Sequence, residues 1–99
     1  MGALGVSENI YKSGGYQMTE DYMAVHKGYR KRGIGSKLLH IMEDYVRSQK
    51  GRYILIETCD IDYYLPARLF YEKNGYKKVA EIPDYYVEKE GRIDYFKKL

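Results

Sequence analysis

The chain has 99 residues, which makes one domain and leaves no room for a second. With 44% apolar and 31% charged residues it is neither disordered nor fibrous, and no apolar run nears the ~20 residues needed to span a bilayer. Seventeen basic and fourteen acidic side chains give a net charge of +3, and the excess is local. Lys27, Arg30, Lys31, Arg32 and Lys37 fall in one stretch with no acid, while the rest of the chain is slightly acidic. That pattern suits a compact, highly charged anion and argues against a nucleic-acid coat. The start, Met1 to Val6, has no basic n-region and no long apolar segment, so no signal peptide is expected. The single cysteine, Cys59, allows neither an internal disulfide nor a Cys-rich metal site. A small cytoplasmic protein, with no metal and no membrane partner, is the expectation. Thirteen tyrosines are expected mostly to fill half-buried strand surface with their hydroxyls in water.

In chain order, Ala3 to Tyr11 reads as a strand, and Lys12 to Tyr16, with Gly14-Gly15, as a hairpin turn. Gln17 to Val25 reads as a second strand. A helix follows from about Gly33 to Gln49, because Ile34, Leu38, Ile41, Met42 and Tyr45 recur at helical spacing, with Leu39 and Val46 widening the stripe. Gly51 is its expected C-terminal stop. Arg52 to Cys59 contains the apolar run Tyr53-Ile-Leu-Ile56 and reads as a strand covered on both faces. Pro66 fits the first turn of a short second helix with Ala67, Phe70, Tyr71 and Asn74 on one face, ended by Asn74-Gly75. Tyr76 to Ile82 and Arg92 to Lys98 are the last strands, with a loop expected around Pro83 to Tyr86. The order is β-β-α-β-α-β-β, and the step from residue 17 to 59 predicts neighbouring parallel strands.

The sharpest local signal is Tyr29-Arg-Lys-Arg-Gly-Ile-Gly-Ser36, between a strand and a helix. A helix start exposes unpaired N–H groups and the positive end of the macrodipole. Glycines there let a ligand reach the backbone, so Gly33 and Gly35 form an anion cradle whose field Arg30, Lys31 and Arg32 raise. Two familiar phosphate loops fail against it. Gly28 and Gly33 have Walker A spacing, but Ile34-Gly35 stands where Lys-Ser/Thr is required, and Leu38 occupies the third glycine position of a dinucleotide fingerprint.

Arg30, Gly33 and Gly35 match the Arg/Gln-x-x-Gly-x-Gly/Ala signature of the GNAT superfamily of acetyl-CoA-dependent N-acyltransferases, and the chain resembles that family. Ala24 to Arg30 is similar to the strand and loop before the signature. Ala67-Arg-Leu-Phe-Tyr-Glu-Lys-Asn-Gly-Tyr76 is similar to a second motif, and the resemblance covers about residues 3 to 98. It implies an α+β fold with an α/β-like centre, a mixed and mostly antiparallel sheet around one parallel β-α-β step. The family's first strand, paired helices and second strand, which shape one wall of the acceptor site, would precede Ala3. The expected edge of the shortened sheet is a place for another chain to pair, so a homodimer is expected.

The resemblance also implies acetyl-CoA as cosubstrate and direct attack of an amine on its thioester. The acceptor, a small molecule or a peptide, stays open. The cofactor-binding set is then Met23, Ala24 and Val25, whose backbone would hold the oxyanion, with Arg30, Lys31, Arg32, Gly33, Ile34, Gly35 and Ser36 on the pyrophosphate. Tyr71 matches the family tyrosine that protonates the leaving thiolate. For the base that deprotonates the amine, Glu57 is favoured because it interrupts an apolar strand, where an unpaired carboxylate is costly. Glu20, Asp21 and His26 are alternatives, and Cys59 is structural. The loop Pro83 to Tyr86, with Glu81 and Asp84, offers aromatic and acidic contacts to a cationic acceptor. Two other classes remain: a CoA-binding or regulatory module without turnover, and nucleic-acid binding through residues 27–37, which ranks last.

Overall fold

The computed structural model describes residues 6–18 and 34–99. Strands β1 (Val6–Glu8) and β2 (Gly15–Met18) form a hairpin, followed by helix α1 (Ile34–Ser48) and strand β3 (Tyr53–Cys59). A 3₁₀ turn (Asp62–Tyr64) leads into helix α2 (Leu65–Lys73), and strands β4 (Lys77–Val87) and β5 (Glu90–Lys98) close the chain. The sheet runs β1-β2-β3-β5-β4, with β2 and β3 parallel and the other neighbours antiparallel. The expected α+β order and parallel step are therefore present.

Both helices contribute to one core against the same side of the sheet. Leu39, Met42 and Val46 of α1 and Ala67 and Tyr71 of α2 bury there with Tyr16, Met18, Ile54, Ile56, Ile93 and Tyr95. Strand side chains alternate between faces. On β3, Ile54, Ile56 and Thr58 are buried on this inner face, while Tyr53, Leu55 and Glu57 on the outer face are half-buried. This corrects the expectation of a strand covered on both sides: among the described residues, no helix packs on the outer face.

Other boundaries move for local reasons. The hairpin turn takes residues 9–14, so Ile10 and Tyr11 are exposed turn residues rather than strand, and Gly15 is already in β2. On α1 the buried stripe is Leu39, Met42, Glu43 and Val46, which leaves Ile41 about a hundred degrees round and half exposed. That helix ends in a Schellman cap, with Gly51 N–H donating to Val46 O at 2.8 Å and Lys50 N–H to Arg47 O at 2.9 Å. The left-handed position is Lys50 (φ 61°), not Gly51. Gly51 is needed for space, since a Cβ would collide with Val46. Helix α2 ends the same way, with Gly75 at φ 92° and Tyr76 N–H donating to Tyr71 O at 3.0 Å, which turns Tyr76 into the core.

Pro83 to Tyr86 lie within β4 rather than in a loop. This is the edge strand, where a proline removes no ladder donor, and a register shift between Ile82 and Val87 with Asp84 at φ 56° absorbs the irregularity.

Several phenols bond to carboxylates instead of water. Tyr76 donates to Glu43 at 2.9 Å, Tyr95 to Glu72 at 2.8 Å and Tyr86 to Glu57 at 2.6 Å. Glu43 is almost fully buried on α1 and also receives Lys97 Nζ of β5 at 3.0 Å, while Lys97 reaches Asn74 O at 3.0 Å. One buried charge pair thus ties α1, the end of α2 and the sheet together.

Candidate active site

Helix α1 begins by Ile34, where the sequence places the anion cradle, and Gly35 in its first turn is buried and Ser36 half-buried. No acidic side chain of that turn offsets the positive end of the helix dipole. The rest of the expected cofactor set, Met23, Ala24, Val25, Arg30, Lys31, Arg32 and Gly33, lies outside the described residues. So do the alternative bases Glu20, Asp21 and His26.

Tyr71 stands on the inner face of α2, fully buried, with its ring 6.1 Å from that of Tyr76, 6.0 Å from Tyr95 and 5.8 Å from Phe70. The helical spacing 67, 71 put it there, and the aromatic walls fix its ring.

Glu57 is on the other side of the sheet. The described β2–β3 pairing runs to Met18 opposite Ile56, and Glu57 is the next residue along β3. Its carboxylate is mostly buried, with 18% of the side chain exposed. Tyr86 of β4 donates to its Oε2 at 2.6 Å, and Arg92 of β5 stands 3.8 Å from its Oε1. Across the β3–β5 ladder Glu57 faces Asp94. Burial of the hydroxyl, then the hydrogen bond and charge of Glu57, push the Tyr86 phenol above its ordinary range, so it stays a donor at all working pH. The hydrogen bond to Asp94 holds the Arg92 guanidinium firmly charged.

Of the two expected catalytic residues, then, the structure puts both at the sheet centre and on opposite faces. The acceptor contacts expected from residues 81 to 86 divide. Tyr86 meets Glu57, and Tyr85 packs on Tyr86 at 4.9 Å and under Arg92 at 5.1 Å. The two acids turn elsewhere: Glu81 pairs with Lys78 at 3.2 Å, and Asp84 accepts the Lys89 N–H at 2.7 Å inside the hairpin. Cys59 is a buried free thiol. Arg92 and Asp94 were not found by sequence reasoning. Their alternate spacing puts them on one face of β5, but only the ladder register brings that face to Glu57. Among the described residues no group of His, Cys, Asp and Glu could hold a metal ion, and no helix is long and apolar enough to cross a membrane.

A family model for the acetyltransferase (GNAT) domain matches residues 2–78. Streptothricin acetyltransferase A of Bacillus subtilis is 37% identical over 62 residues, which are 63% of this chain and 34% of that protein. Among solved structures, an acetyltransferase assigned to the GNAT family in Desulfovibrio desulfuricans superposes with a TM-score of 0.82 at 25% identity, over 94% of this chain and 57% of the other. An assigned streptothricin acetyltransferase of Bacillus anthracis strain Ames, in complex with acetyl coenzyme A, gives 0.76 at 20% identity, over 95% and 53%. The chain thus spans about a third of the curated relative and little more than half of each solved structure.

Proposed function

This chain belongs to the GNAT acetyltransferase domain family, and on that premise we propose that it transfers an acetyl group from acetyl-CoA to a primary amine by direct attack. The cosubstrate reading is supported by the acetyl coenzyme A bound in the Bacillus anthracis neighbour and by the acid-free first turn of α1. Gly33 to Ser36, with Arg30, Lys31 and Arg32, take the pyrophosphate.

The observation that carries the mechanism is the place of Glu57: a mostly buried carboxylate one step past the last described β2–β3 pair. A lysine-like amine has a pKa of ~10.4, so only about one in a few thousand is neutral at pH 7. Glu57 takes the proton of the acceptor ammonium, directly or through water. The neutral nitrogen attacks the thioester carbon, and the oxyanion rests on backbone N–H groups of Met23, Ala24 and Val25. Collapse breaks the C–S bond, Tyr71 gives its proton to the CoA thiolate, and the surplus proton on the attacking nitrogen passes to water, from which the Tyr71 phenolate is reprotonated.

The acceptor we propose is the primary amine of a small molecule, on the strength of the streptothricin acetyltransferase relative. We propose a homodimer in which a second copy pairs along β1, an edge strand of the sheet among the described residues. The test is amine-dependent release of free thiol from acetyl-CoA, with mass spectrometry of the product, over streptothricin, polyamines and lysine peptides. Acetylated product supports the reading. Binding of acetyl-CoA with no transfer to any amine selects a CoA-binding module instead.

A further inference from the structure

Glu57 and Asp94 are directly opposed across β3 and β5. Like charges so placed repel. Arg92 lies between them but is shared unequally. It grips Asp94 at two points, Nε to Oδ1 at 2.8 Å and Nη2 to Oδ2 at 3.2 Å, while Glu57 stands off at 3.8 Å. Arg92 and Asp94 are two residues apart on one strand, so their side chains share a face and the grip is local. Tyr85 steadies the same guanidinium, accepting a hydrogen bond from Nη1 at 3.2 Å.

Resting on the reading of Glu57 as base, we propose that Asp94 is a positioning residue for the transfer reaction: it holds Arg92 away from Glu57, so that this carboxylate keeps the basicity to take a proton. A two-point guanidinium–carboxylate pair is among the strongest side-chain contacts, and a carboxylate so gripped is a weaker base. The fork can serve Asp94 or Glu57 in that way, not both. With Asp94 neutralised, Arg92 turns to Glu57. Among the described residues, the titratable groups around Glu57 are Tyr85 and Tyr86 from β4, Arg92 and Asp94 from β5, and Cys59 on its own strand. Tyr86 stays protonated and Arg92 charged, so the shared cation is the variable.

The experiment measures kcat against pH, with acetyl-CoA and a responsive amine, for Asp94→Asn, Arg92→Gln, the double variant and Glu57→Gln. Asp94→Asn moves the acid limb down by about one pH unit and lowers the plateau roughly tenfold. Arg92→Gln moves the limb the opposite way. The double variant recovers to within about threefold of the parent, which repair of mere structural damage does not do. Both single variants shifting in one direction, or a double variant as slow as Asp94→Asn, overturns the proposal. Should Asp94→Asn fail to fold, Arg92→Gln decides alone, and an unmoved limb overturns it. Glu57→Gln separates the two readings. If it removes the limb while Asp94→Asn leaves it in place, only the role of Asp94 falls. If it leaves the limb intact, Glu57 is not the base, and both fall.

Discussion

Glu57 and Tyr71 face away from each other through the sheet, one on the outer face of β3 and the other buried beneath α2. In the proposed transfer the two serve opposite ends of the exchange, Glu57 the attacking amine and Tyr71 the leaving thiolate. Tyr71→Phe keeps the ring and its aromatic neighbours and removes only the hydroxyl. CoA thiol, with a pKa near ~8.5, already leaves fairly well, so the loss in kcat falls at the modest end of the ~10²–10⁴ range for acid–base groups. Steady-state thiol release checks this, and unchanged turnover removes Tyr71 from the mechanism.

Glu57→Gln removes the proposed base and leaves the packing volume. Transfer then depends on amine that is already neutral, so kcat/KM falls by roughly 10² at pH 7 and climbs as pH rises toward the amine pKa of ~10.4. Acetyl-CoA affinity stays as it was, because the carboxylate serves the acceptor side. A variant that loses acetyl-CoA binding, or keeps the parent pH profile, contradicts the assignment.

Lys97 neutralises Glu43, whose side chain is only 3% exposed. Lys97→Ala leaves that carboxylate, among the described residues, with Tyr76 as its hydrogen-bond partner and costs on the order of 3 kcal/mol, since breaking a buried pair leaves an uncompensated charge. Glu43→Gln together with Lys97→Met costs less than Lys97→Ala. Urea midpoints measure both, and a loss below about 1 kcal/mol for Lys97→Ala shows the pair to be idle.

Alkaline pH weakens the fold. Burial first, then a neighbouring glutamate, raises the phenols of Tyr76 and Tyr95 above their ordinary value. Between the unfolded value of ~10 and the raised folded one, the native chain holds protons that the unfolded chain releases. Stability is therefore fully present below pH ~10 and declines as pH rises above it. Tyr76→Phe flattens the decline in urea titrations above pH 10, at a cost of about 2 kcal/mol near neutrality for the lost bond to Glu43. An equal slope in both proteins means that Tyr76 does not set it.

Much of this was legible in the chain. Helical spacing found α1 and α2 and put Tyr71 on a buried face, and a carboxylate inside an apolar run marked Glu57. What escaped needed partners distant in sequence. Nothing in Arg92 or Asp94 alone tells that β5 inserts between β3 and β4 and lays both against Glu57. Glu43 was the readable omission, since it sits one turn from Leu39 and Val46 in the middle of an apolar stripe. Gly51, the expected helix stop, is required by the space against Val46, while the left-handed position falls on Lys50.

Isothermal titration of acetyl-CoA into the parent protein and into Gly33→Val and Gly35→Val tests the central claim most directly. Binding in the micromolar range, lost in both variants while their circular dichroism is unchanged, is the predicted result. No heat from the parent at millimolar ligand, or equal affinity in all three proteins, contradicts a main-chain grip on the pyrophosphate.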